Sequence, residues 1–254
     1  AAARADNVFR SRGSSMRNVM AIMQRDVLAL FCSPIGYIVM AGFWLVTGAL
    51  AVWNADAFGP GKPATLRDIF MWTPFILTII VPAMCMRSLS EEYRSGTFET
   101  LMTAPVSDAA MVLGKYLAAL VFYVIMLAGT LIYPLLMAVF GNPDWGEMAA
   151  VYIGLLLLGI TFTAIGMFAS SLTRDQAVAW ILGAMPLMLL VLSIYNLVRR
   201  VEGGQREFVQ QLNIIGRFSQ FARGQLETSG VVFFLAVAAL FLFLTVKVVE
   251  SRRW

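Results

Sequence analysis

The 254-residue chain contains no histidine, only two cysteines and few charged residues. Without imidazole there is no Ser-His-Asp triad, no His-ligated zinc and no histidine proton shuttle. Cys32 and Cys85 alone exclude a disulfide framework and a cysteine-ligated metal cluster. Charged residues make up 13% of the chain, well below the ~25% that is typical of soluble domains, while hydrophobic residues make up 59%. This composition indicates an integral membrane protein.

Charged residues are missing from six long stretches of the chain. These stretches are 27–55, 69–86, 116–143, 148–173, 176–198 and 228–246. A helix needs about 20 apolar residues to cross the hydrocarbon core, and irregular backbone is not tolerated where it faces lipid. The sequence therefore predicts an all-α, polytopic membrane protein with six transmembrane helices. Four prolines are expected to kink or break the second, third and fifth spans: Pro74, Pro82, Pro134 and Pro186.

The distribution of basic residues predicts the orientation. An even number of spans places both termini on one side, and that side carries twelve Lys and Arg residues against seven on the other. By the positive-inside rule, both termini are cytoplasmic and the chain is a multi-pass protein of the cytoplasmic (inner) membrane. The basic residues form no stripe, so the expected partner is the lipid bilayer and not nucleic acid.

Two segments precede the first span. Residues 1–15 contain no apolar run that could act as a signal peptide, and we interpret them as a leader or an expression tail before Met16. Residues 16–34 have an apolar stripe at helical spacing that ends at Ser33-Pro34. This pattern predicts an amphipathic elbow helix lying on the membrane surface. The alternative is an early start of the first transmembrane helix. Residues 35–254 form the six-helix domain.

The loop 87–115 is rich in charge but contains a short helical pattern. Thr97 can cap the helix, Glu99 suits its positive end, and Pro105 stops it. Its apolar residues follow helical spacing: Phe98, Leu101 and Met102. A two-turn helix is not stable alone, so one interpretation of this pattern is a helix that docks into a partner. The alternative is a solvated loop whose charges only enforce the topology.

The outer loop 199–227 also has apolar residues at helical spacing. It predicts one or two short amphipathic helices at the outer membrane face before the sixth span, or else an ordinary ordered loop.

Small residues mark one face of the fourth predicted span: Gly159, Thr163, Gly166 and Ser170. Helices associate in lipid where small residues let their backbones approach closely. We interpret this face as packing inside the bundle, with a subunit interface as the alternative.

The chain lacks the groups that would drive chemistry or transport by itself. No ionisable residue lies deep in a span, and the chain has no HExxH, GxSxG or P-loop motif. We therefore expect no enzymatic activity and no cofactor in this chain, and an intramembrane lipid-modifying enzyme is disfavoured. Any energy would come from another subunit.

The sequence 91–106, EEYRSGTFETLMTAPV, resembles the loop between the second and third spans of type-2 ABC transporter (ABC-2) permeases. The pattern E-x-x-x-G-T-x-E-x-L-x-x-x-P is matched by Glu92, Gly96, Thr97, Glu99, Leu101 and Pro105. The segments 221–224, FARG, and 249–254, VESRRW, are similar to the branch of gliding-motility permeases, with nitrous-oxide-reductase maturation permeases as cousins.

The resemblance implies that this loop forms a coupling helix that fits a groove on an ATP-binding subunit. Phe98, Leu101 and Met102 would then be the docking contacts, and Glu92, Arg94 and Glu99 would orient the helix. The family implies a dimer of ATPase subunits that bind ATP and Mg, and a second permease copy or paralogue. In this branch a larger membrane subunit with an extracytoplasmic domain often completes the complex.

The expected function is therefore that of a permease subunit that couples ATP hydrolysis in a separate ATPase to export or to extracytoplasmic work. The alternative is a membrane anchor that transports nothing and transmits mechanical work to an extracytoplasmic partner.

Overall fold

The computed structural model of the protein describes residues 2–53, 67–97, 107–140, 144–200 and 213–252. In these ranges the regular secondary structure is helical. The helices are α1 (Ala2–Cys32), α2 (Pro34–Trp53), α3 (Arg67–Phe70), α4 (Thr73–Cys85), α5 (Ser90–Ser95), α6 (Asp108–Ala128), α7 (Ile132–Phe140), α8 (Trp145–Leu172), α9 (Gln176–Arg200), α10 (Ile214–Phe221) and α11 (Thr228–Ser251). A 3₁₀ turn, Gly129–Leu131, joins α6 to α7.

Five of the six predicted spans coincide with helical segments that are long and apolar enough to cross a membrane. These segments are Pro34–Trp53, Thr73–Ser95, Asp108–Val139, Trp145–Leu172 and Thr228–Ser251. The predicted span 176–198 falls on α9, whose described apolar part, Gln176–Leu192, is shorter than these five. The chain is thus a multi-pass membrane protein, and its sixth crossing stays a prediction.

Helix α8 lies at the centre of the bundle. It contacts α4, α6, α9, α10 and α11, and its buried residues are distributed around the whole helix. A helix that is apolar on every side is suited to burial in a bundle, because it has no polar face to leave in water.

The small residues of α8 let its neighbours approach closely. A Cβ added at Gly159 would lie 2.0 Å from Cε1 of Tyr123, and one at Gly166 would lie 3.0 Å from Cβ of Cys85. Thr163 and Ser170 are fully buried within the same chain. Tyr123 fills the space beside Gly159, where its hydroxyl donates a hydrogen bond to the carbonyl oxygen of Leu155 at 2.7 Å. This face of α8 therefore packs against side chains of the same chain.

Contacts between the helix ends define the two ends of the bundle. At one end, the Arg252 guanidinium donates to the carbonyl oxygen of Leu172 and lies 4.5 Å from the ring centroid of Tyr93. The end of α8, the end of α11 and helix α5 therefore lie together; we call this the terminal end. At the opposite end, the Phe70 ring on α3 packs edge-on against the ring of Tyr152 on α8.

The break between α1 and α2 lies where the sequence predicts it. Helix α1 ends at Cys32 and α2 begins at Pro34. The apolar side of α1 packs on α6, since a Cβ added at Gly114 would lie 2.9 Å from Cβ of Ile22. Helix α1 extends back to Ala2, so it also includes most of the segment 1–15, and its placement on a membrane surface stays a prediction.

Two of the four prolines, Pro74 and Pro134, lie next to a helix interruption. Pro74 lies in the first turn of α4, and Pro82 and Pro186 lie within helices that continue past them. Pro134 follows the 3₁₀ turn between α6 and α7, where it has no N–H to donate to the carbonyl of Thr130 four residues earlier. That carbonyl oxygen instead accepts a hydrogen bond from the hydroxyl of Tyr152 on α8 at 2.9 Å. The chain is therefore interrupted at Pro134 in the third span and just before Pro74 in the second, whereas the kinks expected at Pro82 and Pro186 stay a prediction.

The outer loop contains one short amphipathic helix among its described residues. In α10, Asn213 caps the start through its side-chain oxygen, which accepts from the N–H of Gly216 at 2.9 Å. Its buried residues are Ile214, Ile215, Phe218 and Phe221. A Cβ added at Gly154 of α8 would lie 2.8 Å from Cβ of Phe221, so α10 seats directly on α8. Residues 201–212, which carry the rest of the predicted pattern, lie outside the described part of the chain.

We expect Gly159→Ala to destabilise the protein by about 1–3 kcal/mol, because the new methyl group would overlap the Tyr123 ring in a closely packed interior. Thermal unfolding of the protein purified in mild detergent measures the change. Gly42→Ala is the matched control, since a Cβ added at Gly42 meets no atom within 4 Å among the described residues. Equal midpoints for the two variants would contradict close packing at Gly159.

Candidate functional site at the terminal end

Helix α5 is held at its start by a side chain of another helix. The Oγ atom of Ser170 on α8 accepts hydrogen bonds from the N–H groups of Leu89 and Ser90 at 3.1 and 3.2 Å. Its hydroxyl proton is donated to the carbonyl oxygen of Met86 at 3.2 Å. Helix α5 receives no such bond from its own N-cap residue. Ser170, which the sequence marks only as a small packing residue, therefore positions the segment that leads to the predicted coupling helix.

Helix α5 ends at a glycine that turns the chain. Gly96 has φ of 72°, in the left-handed region that side chains with a Cβ rarely adopt. The Ser95 hydroxyl donates to the carbonyl oxygen of Glu91 at 2.8 Å, and its oxygen lies 2.8 Å from the hydroxyl oxygen of Thr97. Gly96 and Thr97 thus form the turn from which the next segment starts.

Glu92 is held by basic residues of the same chain. Its Oε1 atom accepts from Nζ of Lys115 at 2.7 Å and from Nη2 of Arg25 at 2.9 Å. Asp26 completes the group, since its Oδ2 accepts from Nζ of Lys115 at 3.0 Å and its Oδ1 from Nε of Arg25 at 2.8 Å. We call Arg25, Asp26, Glu92 and Lys115 the ion cluster. It joins α1, α5 and α6 with two positive and two negative charges.

Three of the four side chains in the ion cluster are largely shielded from solvent, whereas Arg25 is 52% exposed. The Lys115 side chain is 3% exposed, and those of Glu92 and Asp26 are 14% and 17% exposed. Burial alone would lower the pKa of Arg25, but the hydrogen bonds and charges of Asp26 and Glu92 outweigh it and raise that pKa above its ordinary value. A charge with so little access to water is stabilised only while its partners stay in place. The cluster therefore fixes α1 and α5 to the start of α6.

A second ion pair holds α5 to the break between α1 and α2. Arg87 donates from Nε and Nη2 to the two carboxylate oxygens of Glu91, both at 2.7 Å, in a bidentate pair. Its Nη1 donates to Oγ of Ser33 at 2.9 Å. A bidentate guanidinium–carboxylate pair has a defined geometry as well as energy.

The predicted coupling residues divide into two groups in the structure. Glu92 belongs to the ion cluster, Arg94 is exposed on α5, and Gly96 and Thr97 form the turn. The remaining residues lie outside the described part of the chain: Phe98, Glu99, Leu101, Met102 and Pro105. Their docking role therefore stays a prediction.

Sequence reasoning did not identify three members of the ion cluster. Arg25, Asp26 and Lys115 counted only toward topology, although each stands at the border of an apolar run where a charge needs a partner. Their pairing could not be read from spacing, since Asp26 and Lys115 lie 89 residues apart in the chain.

Comparison with protein families identifies the family of this chain. The family described as ABC-2 family transporter protein matches residues 65–202, more than half of the chain. The chain belongs to this ABC-2 family. No curated protein matches it. An ABC-2 chain is a membrane component of an ABC transporter and has an ABC ATPase as its partner.

The family match covers only part of the site of this ABC-2 protein. Glu92, Ser170 and Lys115 lie within 65–202, whereas Arg25 and Asp26 precede it. Helix α1 therefore contributes to the site from outside the matched segment.

We expect Lys115→Met to destabilise this ABC-2 protein by about 3–5 kcal/mol, because Asp26 and Glu92 would lose a buried partner. Thermal unfolding in detergent measures the loss. Lys247→Met is the control, since the Lys247–Glu250 pair is exposed and contributes about 0–1 kcal/mol.

Neutralising the carboxylates as well should restore stability, so the triple variant Asp26→Asn, Glu92→Gln, Lys115→Met is expected to unfold later than Lys115→Met alone. If Lys115→Met and Lys247→Met lose equally little, the ion cluster has no structural role.

Proposed function

We propose that this chain is the permease subunit of an ABC transporter whose segment 97–105 docks on a separate ATPase subunit. ATP hydrolysis in that subunit then drives export or extracytoplasmic work. The observation that carries this proposal is the anchoring of α5, since its start is held by Ser170 and its middle by the ion cluster. Transmission of movement needs a docked helix on a rigid support, and a flexible tether would not serve.

The described contacts explain how movement could reach the bundle. Ser170 belongs to the central helix α8, Lys115 to α6, and Arg25 and Asp26 to α1. A displacement of α5 is therefore transmitted to three helices through hydrogen bonds and ion pairs. The docking contacts in this proposal are Phe98, Leu101 and Met102, each contributing about 1.5–3 kcal/mol when fully buried.

The orientation and the assembly belong to the same proposal. The charge distribution supports cytoplasmic termini in the inner membrane, which places the terminal end where an ATPase dimer can bind. A second permease copy or paralogue completes the membrane part. The segments FARG (221–224) and VESRRW (249–254) support the gliding-motility and nitrous-oxide-reductase maturation branch, with a larger extracytoplasmic subunit as a further partner.

We expect Glu99→Lys to reduce the amount of ATP-binding subunit that co-purifies with the tagged chain about tenfold. The ATP hydrolysis rate of the same preparation should also fall about tenfold. The physical reason is the loss of a charge-assisted hydrogen bond, worth about 1.5–3 kcal/mol, and its replacement by a charge of opposite sign. The complex is purified from native membranes in mild detergent, and both quantities are measured on the same preparation.

Arg223→Glu is the control, because Arg223 is exposed in the loop between α10 and α11 at the opposite end of the bundle. It should leave both quantities unchanged. If Glu99→Lys behaves like Arg223→Glu, segment 97–105 does not dock, and if the unaltered chain retains no ATP-binding subunit, the proposed partner is wrong.

A further inference from the structure

An open cavity of about 360 Å³ lies at the terminal end, lined by residues of α1, the start of α2, α4, α5 and α6. This volume falls within the ~300–1,000 Å³ that is usual for small-ligand sites. The cavity lies beside the ion cluster, whose four residues form part of its wall. Nothing in the proposed coupling mechanism uses it.

The wall of the cavity has two chemically different halves. The apolar half consists of Leu30, Ile35, Val39, Met84, Ala118 and Phe122. Guanidinium, carboxylate and hydroxyl groups form the other half, including those of Arg25, Ser33, Arg87, Ser88, Glu91 and Thr97. A molecule that fills the cavity must therefore be amphiphilic, with a polar group at one end.

Two guanidinium groups are the cations that such a polar group can reach. The side chains of Arg25 and Arg87 are 52% and 30% exposed, whereas that of Lys115 is 3% exposed and already bridges two carboxylates. Of the carboxylates, Glu91 is bridged by Arg87 through both oxygens. Asp26 and Glu92 are shielded within the ion cluster.

Arg25 uses two of its five N–H donors on Asp26 and Glu92, and Arg87 uses three on Glu91 and Ser33. The remaining N–H groups of the two guanidiniums can donate to the oxygens of a phosphate. Ser33 and Ser88 line the same half of the cavity as Arg25 and Arg87. These donors give a phosphate ester a binding position in the polar half of the cavity.

The position of the cavity indicates where this phosphate ester comes from. Its polar half lies beside the charged helix α5, and its apolar half follows α2 into the predicted first span. Ile35 and Val39 are half-buried, while Tyr37 and Ile38 between them are exposed on the lipid-facing surface of α2. The cavity thus spans the level at which a bilayer passes from phosphate groups to acyl chains.

We propose that this cavity binds one glycerophospholipid of the surrounding leaflet, with its phosphate at Arg25 and Arg87 and the start of its acyl chains against Leu30, Val39 and Phe122. The remainder of the acyl chains lies in the bilayer along α2. The bound lipid fills the space between α1 and the α4–α5 junction. Lipid binding here does not require the ATPase, so its test is separate from the test of the proposed coupling.

Native mass spectrometry of the detergent-purified, delipidated chain tests the proposal. The probes are phosphatidylglycerol, a diacylglycerol with the same chains, and soluble glycerol phosphate. We expect a one-to-one complex with phosphatidylglycerol and binding at least about tenfold weaker for the two other probes, because each lacks one half of the amphiphile. Equal binding of diacylglycerol would overturn the phosphate contact, and equal binding of glycerol phosphate would overturn the lipid as occupant.

Two variants assign the binding to this cavity. Arg25→Gln removes one reachable guanidinium, and Ala29→Phe places a ring at the wall without changing any charge; Ala29 is exposed, so the larger side chain does not disturb the core. Each should weaken phosphatidylglycerol binding about tenfold. Arg17→Gln is the matched control, since Arg17 is exposed on the same helix but does not line the cavity. If all three variants bind alike, the lipid does not occupy this site.

Discussion

The close approach of neighbouring helices to α8 is the constraint on which the rest of the structure depends. In lipid, apolar surface gives helices little reason to associate, so packing must come from contact between closely spaced backbones. Gly159 leaves room for the Tyr123 ring, and Gly166 leaves room for the Cys85 side chain. At the end of the same helix, Ser170 has room to bond three backbone groups at the α4–α5 junction. One face of one helix thus organises both the apolar core and the polar end.

The terminal end is held together by ion pairs, whereas the core is held together by close packing. There, charges at the borders of apolar runs must find partners within the protein, since water reaches them poorly. Glu92 and Lys115 pair with each other and with Arg25 and Asp26 of α1, and Arg87 pairs with Glu91. Helix α1 is therefore fixed to the bundle by polar contacts as well as by its apolar side. The same polar contacts hold the segment that leads to the proposed docking helix and border the cavity beside it.

Much of the fold could be predicted from the sequence, and the reasons are local. Charge-free runs located five membrane helices, the stop at Ser33-Pro34 was placed correctly, and the helical spacing in the outer loop anticipated α10. The interruption next to Pro134 was predicted, but the donor to the carbonyl that Pro134 leaves unpaired was not, because that donor, Tyr152, lies in another helix. The site was predicted only around Glu92 and Gly96. Its partners Arg25 and Lys115 come from segments 67 and 23 residues away from Glu92, a distance that no local pattern reports.

The sequence by itself determined which segments enter the membrane, because the cost of placing a charge in hydrocarbon excludes it from every span. It also determined where helix α1 ends, since Pro34 restricts the residue before it. Only the tertiary structure decided which small residues meet which side chains, and which charges pair. Those contacts depend on how α1 packs along α6 and how α5 is held against α8. Such packing is determined by the shapes of whole helices.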